Sequence, residues 1–163
     1  MFTLDPQNGG SAMTTDDLFK TRLRRWVIII GVFQVLFGCL VGFIPPTAVP
    51  WFRGIVMAHI EFTSNGVLMT VLGLLTRELR LPRTALHAWF WTLLVGTWAN
   101  GSAGVVAAFS GNSTTLMSTI NKAFPPPGGA TNTLSTDLLL VTGAAIVIAL
   151  LLTLAGLVRA REE

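Results

Sequence analysis

A chain of 163 residues with a mean hydropathy of +0.65 and only 12% charged side chains is too apolar for an ordinary soluble domain, where about a quarter of residues carry charge. The isoelectric point near 10.0 does not signal nucleic acid: the basic residues flank apolar runs and form no patch, so they report membrane topology. One cysteine, Cys39, and no tyrosine exclude a disulfide framework, a cysteine zinc site and phenol chemistry.

Residues 1–19, with Pro6, Gly9, Gly10, Ser11, Thr14 and Thr15, have the composition of a disordered leader. Residues 20–163 form one transmembrane domain. Lys20, Arg22, Arg24 and Arg25 precede a first span over about 26–44. That run is longer than a signal-peptide core and lacks a small-x-small cleavage site, which makes it a retained helix. Pro45, Pro46 and Pro50 close it. A second span covers about 54–75 and ends at the basic turn Arg77 to Arg83; a third covers about 85–109. Residues 110–135, rich in Asn, Ser and Thr and broken by Pro125-Pro126-Pro127-Gly128-Gly129, are either a lid or a flexible connector, and the connector is the simpler reading. The fourth span, about 136–158, ends at Arg159 and Arg161. Each has about the 20 apolar residues a crossing needs, so the fold class is an all-α, four-helix transmembrane bundle. All basic residues but Arg53 and Lys122 fall on one side, which places both termini in the cytoplasm. Gly38-x-x-x-Gly42 permits a close helix contact, although such pairs also arise by chance in apolar runs.

His59 and Glu61 lie inside the second span, where an ionisable group costs a few kcal/mol or more and is by default a functional-site candidate. Counted by helix rise, Gln34, Glu61, Asn65 and Asn100 fall within about four residues of depth, roughly 6 Å. Glu61 and Asn65 share a helical face, and His59 points about 120° away from Asn65. The pattern predicts a bundle-facing polar pocket with His59 to one side. Interhelical hydrogen bonding is the plainer account for Gln34 alone. A membrane carboxylate, by contrast, requires a partner or a proton. His87, beside Arg83, Trp89 and Trp91, is an interfacial residue. The tryptophans include an aromatic belt, for which Trp98 lies too deep.

A zinc site needs three or four protein ligands, and His59 with Glu61 offers two on different faces. A haem needs one. His59 and His87 lie near opposite membrane faces, roughly 20–25 Å apart by helix rise, so they cannot share an iron. Any haem here has one histidine and one open face, which suits substrate binding.

Ala58-His59, Asn65-Gly66 and Met69 together resemble the second helix of the styrene oxide isomerases and hydroxylaminobenzene mutases, small four-helix membrane isomerases of bacteria. Gly96-Thr97-Trp98-Ala99-Asn100 is similar to the mutase pattern Gly-Thr-aromatic-Ala-Asn. Glu61 and Val71-Leu72-Gly73-Leu74-Leu75 also resemble the mutase branch. The resemblance covers about residues 26–159. It implies that His59 is the proximal ligand of a b-type haem lying between neighbouring subunits of a homotrimer. It also implies that Asn65 holds the substrate at the iron and that Asn100 is a second pocket position, in a multi-pass protein of the bacterial inner membrane. The epoxide isomerases carry a tyrosine four residues after the third-helix asparagine, where this chain has Gly104, and this favours the mutase branch. The expectation is a haem-dependent isomerase that rearranges small apolar arylhydroxylamines to aminophenols, with Glu61 handling a proton or stabilising positive charge. The alternatives are isomerisation of aryl epoxides to aldehydes, a small proton-coupled exporter built on Glu61, and a non-catalytic membrane subunit.

Overall fold

The computed structural model describes residues 14–159. Four long helices dominate: α1 (Thr15–Gly42), α2 (Phe52–Leu75), α3 (Arg83–Ser110) and, after the six-residue α4 (Ser118–Ala123), α5 (Thr133–Arg159). All four long helices are sufficiently long and apolar to cross a bilayer. At 1.5 Å per residue the 28 residues of α1 span about 42 Å, more than the roughly 30 Å hydrocarbon layer. Its polar end therefore extends into the headgroup zone.

The first helix begins inside the segment expected as leader. Thr15 to Phe19 are helical because Thr14 and Asp17 form a reciprocal cap: the Asp17 backbone N–H donates to Thr14 Oγ1 at 3.2 Å, and the Thr14 N–H donates to Asp17 Oδ2 at 3.2 Å. Asp16 and Asp17 also complement the positive end of the helix dipole. The leader reading for residues 1–13 lies outside the described residues. Thr14→Ala removes the cap at a cost of about 1 kcal/mol. Hydrogen exchange should therefore accelerate over Thr15 to Lys20 and stay unchanged in α2.

The helices pack in chain order, α1 on α2, α2 on α3, and α3 on α5. The buried face of α1 carries Val27, Gly31, Gln34, Gly38 and Val41, whereas Trp26, Ile29, Phe33, Leu36, Leu40 and Phe43 are exposed on its other side. Small and polar residues inside with large apolar ones outside is the arrangement helices adopt in lipid, where close backbone approach replaces hydrophobic burial. The α2–α3 crossing is the clearest case. A Cβ on Gly54 would lie 2.5 Å from the Ala108 nitrogen, and one on Gly104 would lie 2.8 Å from the Ala58 nitrogen. Backbone meets backbone there.

Trp89 is fully buried and donates from Nε1 to Thr153 Oγ1 at 2.9 Å, bolting α3 to α5. It therefore belongs to the core, which leaves exposed Trp26 and Trp91 as belt positions. The connection over 110–135 is also folded. Ser113 donates to the Gly129 carbonyl at 2.9 Å, Asn132 donates to the Ser113 carbonyl at 2.8 Å, and Asn132 Nδ2 donates to Ser110 Oγ at 2.9 Å. The Arg53 guanidinium lies 4.3 Å above the Phe124 ring and ties this cap to the start of α2. Some of the polar residues that suggested a flexible connector also pair with main-chain groups: Asn121 Nδ2 donates to the Thr114 carbonyl at 2.8 Å, and Asn132 Oδ1 accepts from the Ser135 N–H at 3.0 Å.

Candidate active site

Helix α2 presents chemistry on two faces. Toward α3 it carries Glu61 and Asn65, one turn apart and both half-buried. Asn100 Nδ2, from α3, donates to Glu61 Oε2. One turn deeper, Asn65 Nδ2 approaches the Thr97 carbonyl at 3.4 Å, and Gln34 Nε2, from α1, donates to the same oxygen at 2.9 Å. Three helices thus meet at one backbone oxygen. The depth count placed Gln34, Glu61, Asn65 and Asn100 in one layer, and the fold brings all four together there.

The two contacts on the Thr97 carbonyl are unequal. At 2.9 Å the Gln34 bond is of normal length, while Asn65 at 3.4 Å is held loosely. Asn65 is therefore the amide that can be redirected to another acceptor at least cost. Gln34 is fully buried, and its Oε1 accepts no hydrogen bond from the described residues, consistent with its service as interhelical glue. Thr97 escaped the sequence reading as a hub because its contribution is a main-chain oxygen. Its hydroxyl, also buried, lies 3.3 Å from the Met69 sulfur and 3.2 Å from the Leu94 carbonyl.

An aromatic wall adjoins this layer. Trp98 packs with Phe33, Phe37 and Phe62 at centroid distances of 6.1, 5.6 and 5.5 Å, and Phe37 meets Phe62 edge-on at 5.0 Å. These offset and edge-to-face geometries stabilise aromatic pairs and account for a tryptophan at that depth.

His59 lies on the other face of α2, about 160° around the helix from Glu61 at 100° per residue. Its Nδ1 sits 2.9 Å from the Gly38 carbonyl of α1. A carbonyl only accepts, so Nδ1 is the donor in this contact, and in the neutral imidazole the lone pair then lies on Nε2. The ring lies against Gly42, where a Cβ would come within 2.8 Å of Nδ1. Gly38-x-x-x-Gly42 is thus a real α1–α2 contact, and its second glycine makes room for the imidazole. Gly42, Leu40, Phe43 and Ile60 nearby are exposed, so His59 is half-buried at the apolar rim and lies outside the Glu61 polar layer. His87 occupies the opposite end of the bundle, packed at a tilt against Phe19 with ring centroids 5.0 Å apart and Arg83 4.6 Å above that ring.

This environment suits a haem iron: one imidazole nitrogen with a free lone pair, a second nitrogen oriented by a backbone carbonyl as metal-binding histidines require, and an apolar rim beside it. Among the described residues no three His, Cys, Asp or Glu side chains converge, so no all-protein metal cage is formed there.

The sequence model of the styrene oxide isomerase family matches residues 23–158, which takes in nearly all of the four long helices. The chain belongs to the styrene oxide isomerase family. It is 33% identical over 95 residues to hydroxylaminobenzene mutase HabB of Ectopseudomonas oleovorans, across 58% of this chain and 57% of that one. To hydroxylaminobenzene mutase HabA of the same organism it is 32% identical over 89 residues, across 55% of this chain and 65% of the relative. The chain therefore spans less than two thirds of either curated relative. No solved structure matches. At Gly104 the close backbone contact leaves no room for a side chain unless α2 and α3 move apart.

Proposed function

We propose that the protein is a haem-dependent membrane isomerase that converts arylhydroxylamines to aminophenols. The observation that carries this reading is the 2.9 Å contact of His59 Nδ1 with the Gly38 carbonyl, which in the neutral imidazole leaves Nε2 as a ligand. The likeness to two hydroxylaminobenzene mutases and the closed position at Gly104 support the mutase branch over epoxide opening.

The reaction is an isomerisation: the N–O bond breaks, a ring C–O bond forms, and a ring proton ends on nitrogen. No oxidant is consumed. His59 would hold a ferric b-type haem through Nε2, and that group would supply a Lewis acid toward the bond to the heteroatom. The protein's own groups do the rest. Asn65, loosely tethered, turns its amide to the substrate, and Asn100 fixes Glu61 through Oε2. Glu61 Oε1 is then the atom that takes the ring proton and returns it to nitrogen. Holding the reacting atom in place supplies much of the rate, and the apolar aromatic substrate enters from the bilayer in which it partitions.

His59 and the Glu61 polar layer face different sides of α2, so the proposal includes a homotrimer with the haem between neighbouring chains, in the bacterial inner membrane with both termini cytoplasmic. The test is a product assay on detergent-purified protein. Hydroxylaminobenzene should give aminophenol, styrene oxide should give no aldehyde, and His59→Ala should give neither product. Aldehyde without aminophenol would move the protein to the epoxide branch. Neither product, together with binding of lipophilic cations, would favour a Glu61 exporter.

The glycine bed under His59 offers a second check. Gly42→Val pushes the ring away from the Gly38 carbonyl. The variant should retain haem less firmly and show a shifted Soret band, while the cap over 110–135 keeps its exchange protection.

A further inference from the structure

At the end of the bundle remote from His59, the segments 14–25 and 76–83 hold seven basic residues against three acidic ones. Positive charge at a membrane boundary is accounted for by topology alone. Two features are not. The first is a cleft of about 470 Å³ on α1 lined by Thr21, Arg24, Arg25, Ile28 and Ile29. These positions follow i, i+3, i+4, i+7 spacing and share one helical face, so a hydroxyl and two guanidinium groups stand directly over two isoleucines. The second is Arg24 Nε, a buried N–H with no acceptor among the described residues. A buried donor is nearly always satisfied; on the half-buried Arg24 side chain this one is left without an acceptor among the described residues.

Two neighbouring basic groups are otherwise engaged. Lys20 Nζ donates to the Leu79 carbonyl at 2.9 Å, and Arg77 Nη2 reaches Thr21 Oγ1 at 3.5 Å. Both lock the α2–α3 turn onto α1 and form one wall of an adjoining cleft that also contains Asp17 and Arg80. The acid lies in that second cleft. Among the described residues the first is lined by no acidic side chain, and it grades from cationic to apolar along its length.

We propose that this α1 groove is a binding site for an anionic phospholipid. The phosphate accepts from the planar forks of Arg24 and Arg25, for which guanidinium geometry is suited, and the Thr21 hydroxyl adds a contact. An acyl chain lies along Ile28 and Ile29. The site is independent of the catalytic reading.

The test is native mass spectrometry of delipidated, detergent-purified protein offered phosphatidylglycerol or phosphatidylcholine with identical acyl chains. Wild type should retain phosphatidylglycerol preferentially. Arg24→Gln combined with Arg25→Gln should weaken that retention about thirtyfold, the combined effect of two interfacial charges. Arg22→Gln, which removes an exposed charge outside the groove, should leave it intact. Arg24→Lys keeps the charge that insertion needs and loses the fork, so it should weaken retention severalfold even if the double variant inserts poorly. Equal retention of the two lipids, or an Arg24→Lys protein indistinguishable from wild type, would overturn the proposal. So would displacement of the lipid by an equal concentration of soluble glycerol phosphate, which would mark a phosphate site without an acyl seat.

Discussion

Gly104→Tyr will destroy the folded bundle instead of adding a phenol to the site. A Cβ at this position would lie 2.8 Å from the Ala58 nitrogen, 3.0 Å from the Ala58 Cα and 3.0 Å from the Gly54 carbonyl oxygen. All three neighbours are main chain and cannot rotate away as a side chain would. Even Gly104→Ala must spread α2 from α3, an overpacking effect of about 1–3 kcal/mol. Because Gly54 and Gly104 face each other's helices, Gly54→Ala should cost a similar amount. The two together should cost less than their sum, since one displacement relieves both clashes. Thermal unfolding in detergent gives the alanine values, and size-exclusion chromatography should show Gly104→Tyr as aggregate. A monodisperse tyrosine variant with a wild-type melting curve would mean that α2 and α3 do not cross at these residues.

Asn65→Leu should lower kcat on hydroxylaminobenzene by about a hundredfold, the scale on which one oriented donor to a developing charge acts. The haem spectrum should be unchanged, because Asn65 and His59 occupy different faces of α2. Gln34→Leu should do much less. It removes the stronger donor to the Thr97 carbonyl but also removes a buried, unpaired Oε1, and deleting an unsatisfied atom offsets part of the lost bond. Steady-state kinetics beside an absorption spectrum separates the two effects. Activity lost together with the Soret band would indicate collapse of the α1–α2 packing and not the loss of a substrate contact.

Much of this arrangement was legible in the sequence because membrane helices obey few rules. Span length, proline breaks and basic turns located four crossings, and counting depth put Glu61, Asn65, Asn100 and Gln34 in one layer that the fold then assembled. The missed features share a physical cause, since they depend on main-chain atoms or on contacts distant in the chain. The Thr97 and Gly38 carbonyls organise the two faces of α2, and no side-chain pattern reports a carbonyl. No sequence pattern separates Trp89 from the belt tryptophans, because its buried acceptor, Thr153, comes from a helix far along the chain. The fold of residues 110–135 likewise rests on bonds such as Asn132 to Ser110 and Ser113 to Gly129. The start of α1 was different. Thr14-x-x-Asp17 is a capping signature in plain view, outweighed in the reading by the Gly- and Ser-rich residues before it.

The central claim is that His59, held by the Gly38 carbonyl, presents Nε2 to a haem iron. The measurement that tests it most directly is the absorption spectrum of detergent-purified protein supplied with haem, wild type beside His59→Ala. A Soret band in wild type that is lost or shifted in the variant is the predicted result. No band in wild type, or an identical band in both proteins, would contradict it.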